Sequence, residues 1–295
     1  MERLAASVGS DDEPPGTRVR LGIGTRVLVS AMLGLLVIAN LLPLIWGILT
    51  SFKSDADLLR FPPVVLAFTP TLEHYSRVAA SGFFDSLRAS ALYAIGAVML
   101  TLVVALPAAY AFDRFAFPFR QSLFLLVVAS IPLSLGAAAL LIPNYVYFMR
   151  LGLTNTWFVL PLIYAAHQIP MAIWIVKGVI ETIPRELDEA AIVDGASTWA
   201  ILRYVILPLS RPALGAAGVL AFVGSWNEFV AGSVMVDAPH LKPVQPVIYS
   251  FIGFFGREWG PLTASATLAI VPILVAFAIL GRYIVAGLTK GSVKG

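Results

Sequence analysis

From Val27 to Leu49 the chain runs 23 residues without a charged side chain. A helix rising 1.5 Å per residue needs about 20 such residues to cross a ~30 Å hydrocarbon core. This length suits a retained membrane span better than the shorter apolar region of a cleavable signal peptide. Comparable runs recur at Ala89–Phe112, Gln121–Ile142, Trp157–Val176, Ala213–Val236 and Thr263–Leu280, the fifth broken only by Asn227 and Glu228. They predict an all-α polytopic membrane protein with six transmembrane helices. Only 13% of the 295 residues are charged against 59% hydrophobic, about half the charge of a soluble domain, and mean hydropathy is +0.87. Internal Pro107, Pro132, Pro161, Pro170 and Pro272 predict kinks rather than breaks, because neighbouring helices in a bundle re-satisfy freed backbone groups.

Residues 1–26 are polar, with Asp11-Asp12-Glu13-Pro14-Pro15-Gly16 in the middle, and read as a flexible cytoplasmic tail. The six-helix domain is expected over 27–285, followed by a cytoplasmic tail at 286–295. Thr50 to Arg88, broken by Phe61-Pro62-Pro63 and Thr69-Pro70-Thr71, reads as an ordered, irregular loop. The short Asp113–Arg120 connector makes spans two and three antiparallel.

Six spans place both termini on one side. With cytoplasmic termini, only Lys53, Arg60, Arg77, Arg88, Arg150, Lys242 and Arg257 of the 20 basic residues lie outside, which is the orientation the positive-inside rule favours. The net charge of +3 thus belongs to loop topology. Without a basic run or basic–aromatic stripe there is no case for a nucleic-acid partner. With no cysteine, thiolate catalysis and Cys-based metal sites are excluded.

Residues 177–211, between spans four and five, form a polar segment with its own helix punctuation. Pro184 stands near a helix start, Arg185 to Val193 form a short helix, Gly195 stops it, Ser197 caps a second helix through Ile206, and Pro208 marks its end. This cytoplasmic helix-turn-helix can present side chains to a soluble partner and transmit a push.

Glu189-Ala190-Ala191, three residues, Gly195, nine residues, then Val205-Ile206-Leu207-Pro208 resembles the EAA signature of importer-type ABC permeases, with Val205 where isoleucine is usual. The resemblance implies a coupling helix seated on a separate ATPase, with Glu189, Ala190, Ala191, Asp194, Gly195, Leu207 and Pro208 at the contact. Small alanines permit close approach and Gly195 a tight turn. Further stretches resemble the carbohydrate subfamily of the maltose importer's smaller permease: Ser51-Phe52-Lys53, Phe61-Pro62-Pro63, Leu72-Glu73-His74-Tyr75, Ala109-Tyr110-Ala111-Phe112 through Phe117-Pro118, Ser225-Trp226-Asn227-Glu228-Phe229, and the tail from Gly287. By that resemblance Gly291, Ser292, Val293, Lys294 and Gly295 form a second ATPase contact. It also implies a second homologous permease, a dimer of ABC ATPases carrying ATP and Mg2+, an extracytoplasmic solute-binding protein, a sugar-type solute and a bacterial inner-membrane location.

Polar groups at membrane depth cost about 2.5 to 3.5 kcal/mol at a helix centre and read as functional by default. Glu228 lies ~24 Å along the fifth span from Pro212, toward the outer leaflet or an outer cavity, and His167 ~15 Å into the fourth, near the midplane. Asn227 and Glu228 line a translocation path or hold packing contacts against a second permease. His167 and Gln168 offer donors to sugar hydroxyls or pair with a neighbouring helix. Tyr249, Phe254, Phe255 and Trp259 on an external loop suit either sugar stacking and carrier contact or an interfacial aromatic belt.

No G-x-x-x-x-G-K-[ST] phosphate loop occurs, so no catalytic residue, cofactor or metal is assigned to this chain. A stand-alone secondary transporter is the rival reading, but it calls for ion-coupling acids and inverted repeats, which the sequence does not display. An intramembrane protease needs a companion for His167 that is equally lacking.

Overall fold

A computed structural model describes residues 23–132, 140–253 and 256–290. Contacts divide the chain into one unit up to Trp46 and a second from Gly47 onward. In the first unit the described residues belong to α1 (Ile23–Ser51), an apolar helix containing Pro43.

The second unit is built on α3 (Phe83–Arg114), α6 (Val159–Ile180), α9 (Arg211–Trp226) and α12 (Trp259–Lys290). Helix α3 is preceded by Gly82 at φ 78°, carries Asp85 in its first turn and Arg114 in its last, and so complements its own macrodipole. Ala89, Ala94, Ala97, Ala105 and Ala109 are buried along it. Without lipid-excluding force between spans, such small residues let helix backbones approach and pack. At Gly96 the approach is close enough that a Cβ would touch the Pro161 ring at 3.4 Å.

Shorter elements connect these. A helix α2 (Glu73–Ala80) stands in the stretch expected to be irregular, and α3 begins at Phe83, six residues before the charge-free run, because Phe83 and Ser86 are buried. Helix α4 (Arg120–Ala129) ends at Ser130, so the continuous third span expected over Gln121–Ile142 is interrupted there. Residues 133–139 lie outside the described residues, and α5 (Leu141–Arg150) follows. Beyond α6 come α7 (Glu186–Val193) and α8 (Thr198–Leu209). A 77° bend at Ser210 separates α8 from α9. The fifth predicted span is also broken at its far end, where α9 gives way at Asn227 and α10 (Val230–Met235) resumes. Helix α11 (Val244–Ser250) and a two-residue antiparallel ladder, Ile252 to Arg257 and Gly253 to Gly256, precede α12.

Among the described residues four helices are long and apolar enough to cross a membrane, and a fifth span arises if α8 and α9 count as one bent unit. Three buried clusters hold the second unit together. The one that matters for the site joins Ala105, Ala109 and Tyr110 of α3, Ile173 and Val176 of α6, and Ala213 and Ala217 of α9 to Ile183, Ile201, Leu202 and Ile206 of the 177–211 segment.

Candidate coupling segment and polar path

The first helix of the segment stops by a mechanism its spacing encodes. Gly195 takes φ +80°, its N–H donates to Ile192 O at 2.9 Å, and the Ala196 N–H donates back to Ala191 O at 2.9 Å. This pair of bonds is a Schellman ending, which requires a left-handed residue just past the helix. Ala191 and Ala196 both pack on the adjoining core, supplying the apolar contact that accompanies such an ending. The spacing from Ala191 to Gly195 is therefore set by backbone hydrogen bonding. Nothing lies within 4 Å of a Cβ built on Gly195, so in the isolated chain its conformation, not crowding, demands glycine.

Ser197 caps the second helix, its extended backbone (ψ 158°) letting Oγ accept from Ala200 N at 3.3 Å. Pro208 does not end this helix. Residues Leu202–Ile206 are π-helical, with Leu207 N–H donating to Leu202 O. The wider turn loosens the ladder where proline has no N–H and its ring would meet the preceding turn. The break falls at buried Ser210 instead.

The segment has two unlike faces. Ile201, Leu202 and Ile206 are buried in the core. Facing away are Ile192, Val193, Trp199 and Tyr204, with Val193 87% exposed. Glu189, Ala190, Asp194 and Gly195 are also exposed, whereas Leu207 and Pro208 are half-buried. The resemblance-derived residues thus separate: the first group lies on the open surface, while the last two shape the helix behind it. Gly291 to Gly295 lie outside the described residues.

Sequence reasoning missed what fastens this segment. Asp188, the one buried residue of α7, accepts from Arg114 Nε at 2.6 Å, and Arg114 Nη2 donates to Ile183 O at 2.8 Å. Arg114 also pairs with Asp113, whose backbone carbonyl accepts from Arg185 Nη2 at 3.1 Å. Asp113 and Arg114 had read only as the start of a connector. The available signal was their position at the exit of α3, directly after the subfamily-like Ala109–Phe112.

The polar path candidates behave differently from one another. His167 and Glu228 come together with Asn144, Ile163 and Met235 around a cavity of about 10 Å3, enough for a single water and not for a sugar ring. Glu228 acts locally, as its two carboxylate oxygens accept from Ala231 N at 2.9 Å and Gly232 N at 3.2 Å, capping the start of α10. Because α9 ends at Trp226, the straight-helix depth of ~24 Å does not apply to Glu228. Asn227 is exposed at the break. Gln168 lies against Gly224, where a Cβ would fall 2.1 Å from its Nε2, and thus fills a helix–helix contact. A larger cavity of about 500 Å3 lies between α3, α9 and α12, but its lining, including Ile95, Met99, Phe222 and Val275, offers sugar hydroxyls no partner.

In the stretch between α10 and α12, expected to be external, Tyr249 is exposed and its ring lies 4.9 Å from that of Phe229. Trp259 is 43% exposed at the start of α12. Phe254 and Phe255 lie outside the described residues. The first-loop motifs form a structural knot: Ser51 Oγ and Tyr75 OH are 2.7 Å apart, Phe52 and Tyr75 rings 5.1 Å, and buried His74 Nε2 meets Lys53 O at 2.7 Å.

The family model described as "Binding-protein-dependent transport system inner membrane component" matches residues 18–290. The chain belongs to this family. It is a multi-pass inner-membrane permease of the ABC importer type. Its relatives include the trehalose/maltose transport system permease protein MalG of Thermococcus litoralis, 32% identical over 92% of this chain and 97% of that protein. The sulfoquinovosyl glycerol transport system permease protein SmoH of Agrobacterium fabrum is 31% identical over 88% of this chain and 91% of its own length. The fold resembles a chain of a bacterial ABC transporter involved in the import of the acidic polysaccharide alginate, with a TM-score of 0.73 at 22% identity, covering 90% of this chain and 99% of that one.

Proposed function

We propose that this permease forms half of a translocation pathway for a sugar or sugar-like solute and takes its drive from a separate ATPase through residues 177–211. The observation that carries the coupling assignment is the segment's division into an anchored face and an open one. The helix ending at a left-handed Gly195 presents Ile192 and Val193 to the surroundings and α8 presents Trp199, while Ile201, Leu202 and Ile206 of α8 root the segment in the same core as α3, α6 and α9. Apolar side chains on an otherwise polar surface fit a protein partner, and firm rooting lets displacement of the segment reach the spanning helices. The sugar class rests on the relatives whose names carry trehalose, maltose and sulfoquinovosyl glycerol.

The remaining parts follow from that reading. The domain at 27–285 has six spans, with cytoplasmic tails at 1–26 and 286–295, in a bacterial inner membrane. A second homologous permease completes the pathway. An extracytoplasmic binding protein delivers solute to the outer face near Tyr249 and Trp259, and a dimer of ABC ATPases carries the ATP and Mg2+. Nucleotide binding closes that dimer, the coupling helices move with it, and the two permeases open outward; hydrolysis resets them. Asn227 and Glu228, at the break between α9 and α10, border the path, with His167 and Gln168 beside them on α6.

Gentle detergent extraction from native membranes tests the assembly: a second permease and an ABC ATPase are expected to co-purify with the tagged chain, and the isolated chain is expected not to hydrolyse ATP. Cells lacking the gene should lose uptake of at least one member of a radiolabelled panel of trehalose, maltose and related glycosides. Robust hydrolysis by the isolated chain would overturn the division of labour, and unchanged uptake across the panel would overturn the solute class.

A further inference from the structure

The segment is fastened to the membrane domain at one charged joint. Asp188, whose side chain is 9% exposed, is held by Arg114, whose side chain is 7% exposed. The Arg114 guanidinium reaches three places: Asp188 Oδ2 at 2.6 Å on α7, Ile183 O at 2.8 Å on the linker before it, and Asp113 on its own helix. Arg185, next to α7, donates to Asp113 O at 3.1 Å, and Arg120, at the start of α4, reaches Phe115 O at 3.2 Å. The end of α3, the start of α4 and the start of α7 are therefore tied through three consecutive residues, Asp113, Arg114 and Phe115.

Elsewhere on α7, half-buried Ala191 packs against the core. Leu187, Ile192 and Val193 are exposed, and Asp188 is its one buried residue. A buried ion pair is a poor way to gain stability, because desolvating two charges offsets most of their attraction; its established use is to fix register. A planar guanidinium sharing its donors among a carboxylate and a carbonyl fixes both distance and direction, which sliding apolar contacts do not.

On the coupling reading above, we propose that Arg114 and Asp188 are positioning residues that make α3 and the coupling helix α7 move as one rigid body, so that displacement of α7 by the ATPase enters the bundle through α3. Helix α3 suits this, since it packs against α6 and α9 within the same core.

The cysteine-free chain permits a direct test in the assembled importer, reconstituted with its co-purified permease and ATPase. Spin labels at positions 104 on α3 and 186 on α7, both exposed, report the distance between the two helices by pulsed electron resonance. Two states are compared, without nucleotide and trapped with ATP and orthovanadate. With Arg114 and Asp188 intact, one narrow distance distribution common to both states is expected. In Asp188→Asn the narrow peak is lost and the distance shifts between states, while membrane abundance and ATPase co-purification stay at the unsubstituted level. Arg114→Lys should do the same, because it keeps the charge but loses the fork.

A narrow, state-independent distribution in both single variants would overturn the joint and leave the coupling reading intact. Loss of either variant from the membrane together with its ATPase would also overturn it, since the pair would then serve folding. If the unsubstituted chain retains no ATPase, the coupling reading fails and the joint with it.

Discussion

On the proposed coupling role, Gly195 is the residue at which local geometry bears most directly on function. Its φ of +80° costs a side-chain-bearing residue about 1 to 2 kcal/mol, and β-branching adds to that. The surroundings of its Cβ are open, so the spanning helices should be unaffected. Gly195→Val is expected to reach the membrane at normal abundance yet lose transport and hold the ATPase weakly. Paired measurement of abundance and co-purification decides it, and wild-type uptake would remove the coupling role from this turn. Gly260 makes the opposite case. A Cβ there would fall 2.2 Å from the His74 ring, which is fully buried and bonded to Lys53 O at 2.7 Å. Gly260→Ala should expel the ring and break its bond to the buried Lys53 carbonyl, at a cost of about 1 to 3 kcal/mol. Lower membrane abundance and a lower detergent-unfolding midpoint are the readouts; unchanged stability would show that this contact gives way freely.

At the scale of elements, the 177–211 segment is a folded ledge and not a loop. Its first helix ends by backbone bonding at Gly195, its second is capped by Ser197 and eased past Pro208 by a π-helical turn, and the 77° bend at Ser210 turns the chain into α9. The exposed side chains on this ledge contribute little to folding, since surface substitutions usually change stability by no more than about 0.5 kcal/mol. Val193→Asp should therefore leave membrane abundance intact and reduce ATPase co-purification several-fold, because a charge would be desolvated at the centre of an apolar contact. Unaltered co-purification would place the docking surface elsewhere. The break in the fifth span has the same local logic: α9 stops at Trp226, and Glu228 supplies the acceptors that start α10. Its carboxylate is therefore accounted for by backbone N–H groups before any solute is considered.

For the whole molecule the testable quantity is topology. Single cysteines can be introduced without background; positions 190 and 290 are expected to react only with reagent admitted to the cytoplasm, and positions 60 and 245 with reagent outside intact cells. Labelling of position 190 from outside would invert the orientation and detach the segment from any cytoplasmic ATPase. Within the second unit, Ser51, Phe52, His74 and Tyr75 knit the stretch before α3, and Arg114 and Asp188 tie the end of α3 to the ledge.

Charge-free runs made the spanning helices at Phe83–Arg114, Val159–Ile180 and Trp259–Lys290 legible, because burying backbone in hydrocarbon leaves the helix as nearly the only solution. The Ala191-to-Gly195 and Ser197 signals were equally plain, since helix termini are settled by hydrogen bonds within a few residues. The Arg114–Asp188 pair was not legible: its members stand 74 residues apart, and nothing local distinguishes a charge that will find a buried partner from one left in water. Nor did the sequence disclose that His167 and Glu228 border a water-sized gap rather than a sugar-sized site. Hydropathy and spacing record what each segment needs locally, whereas which side chains meet depends on how separate helices pack, and that is decided only when the whole bundle closes.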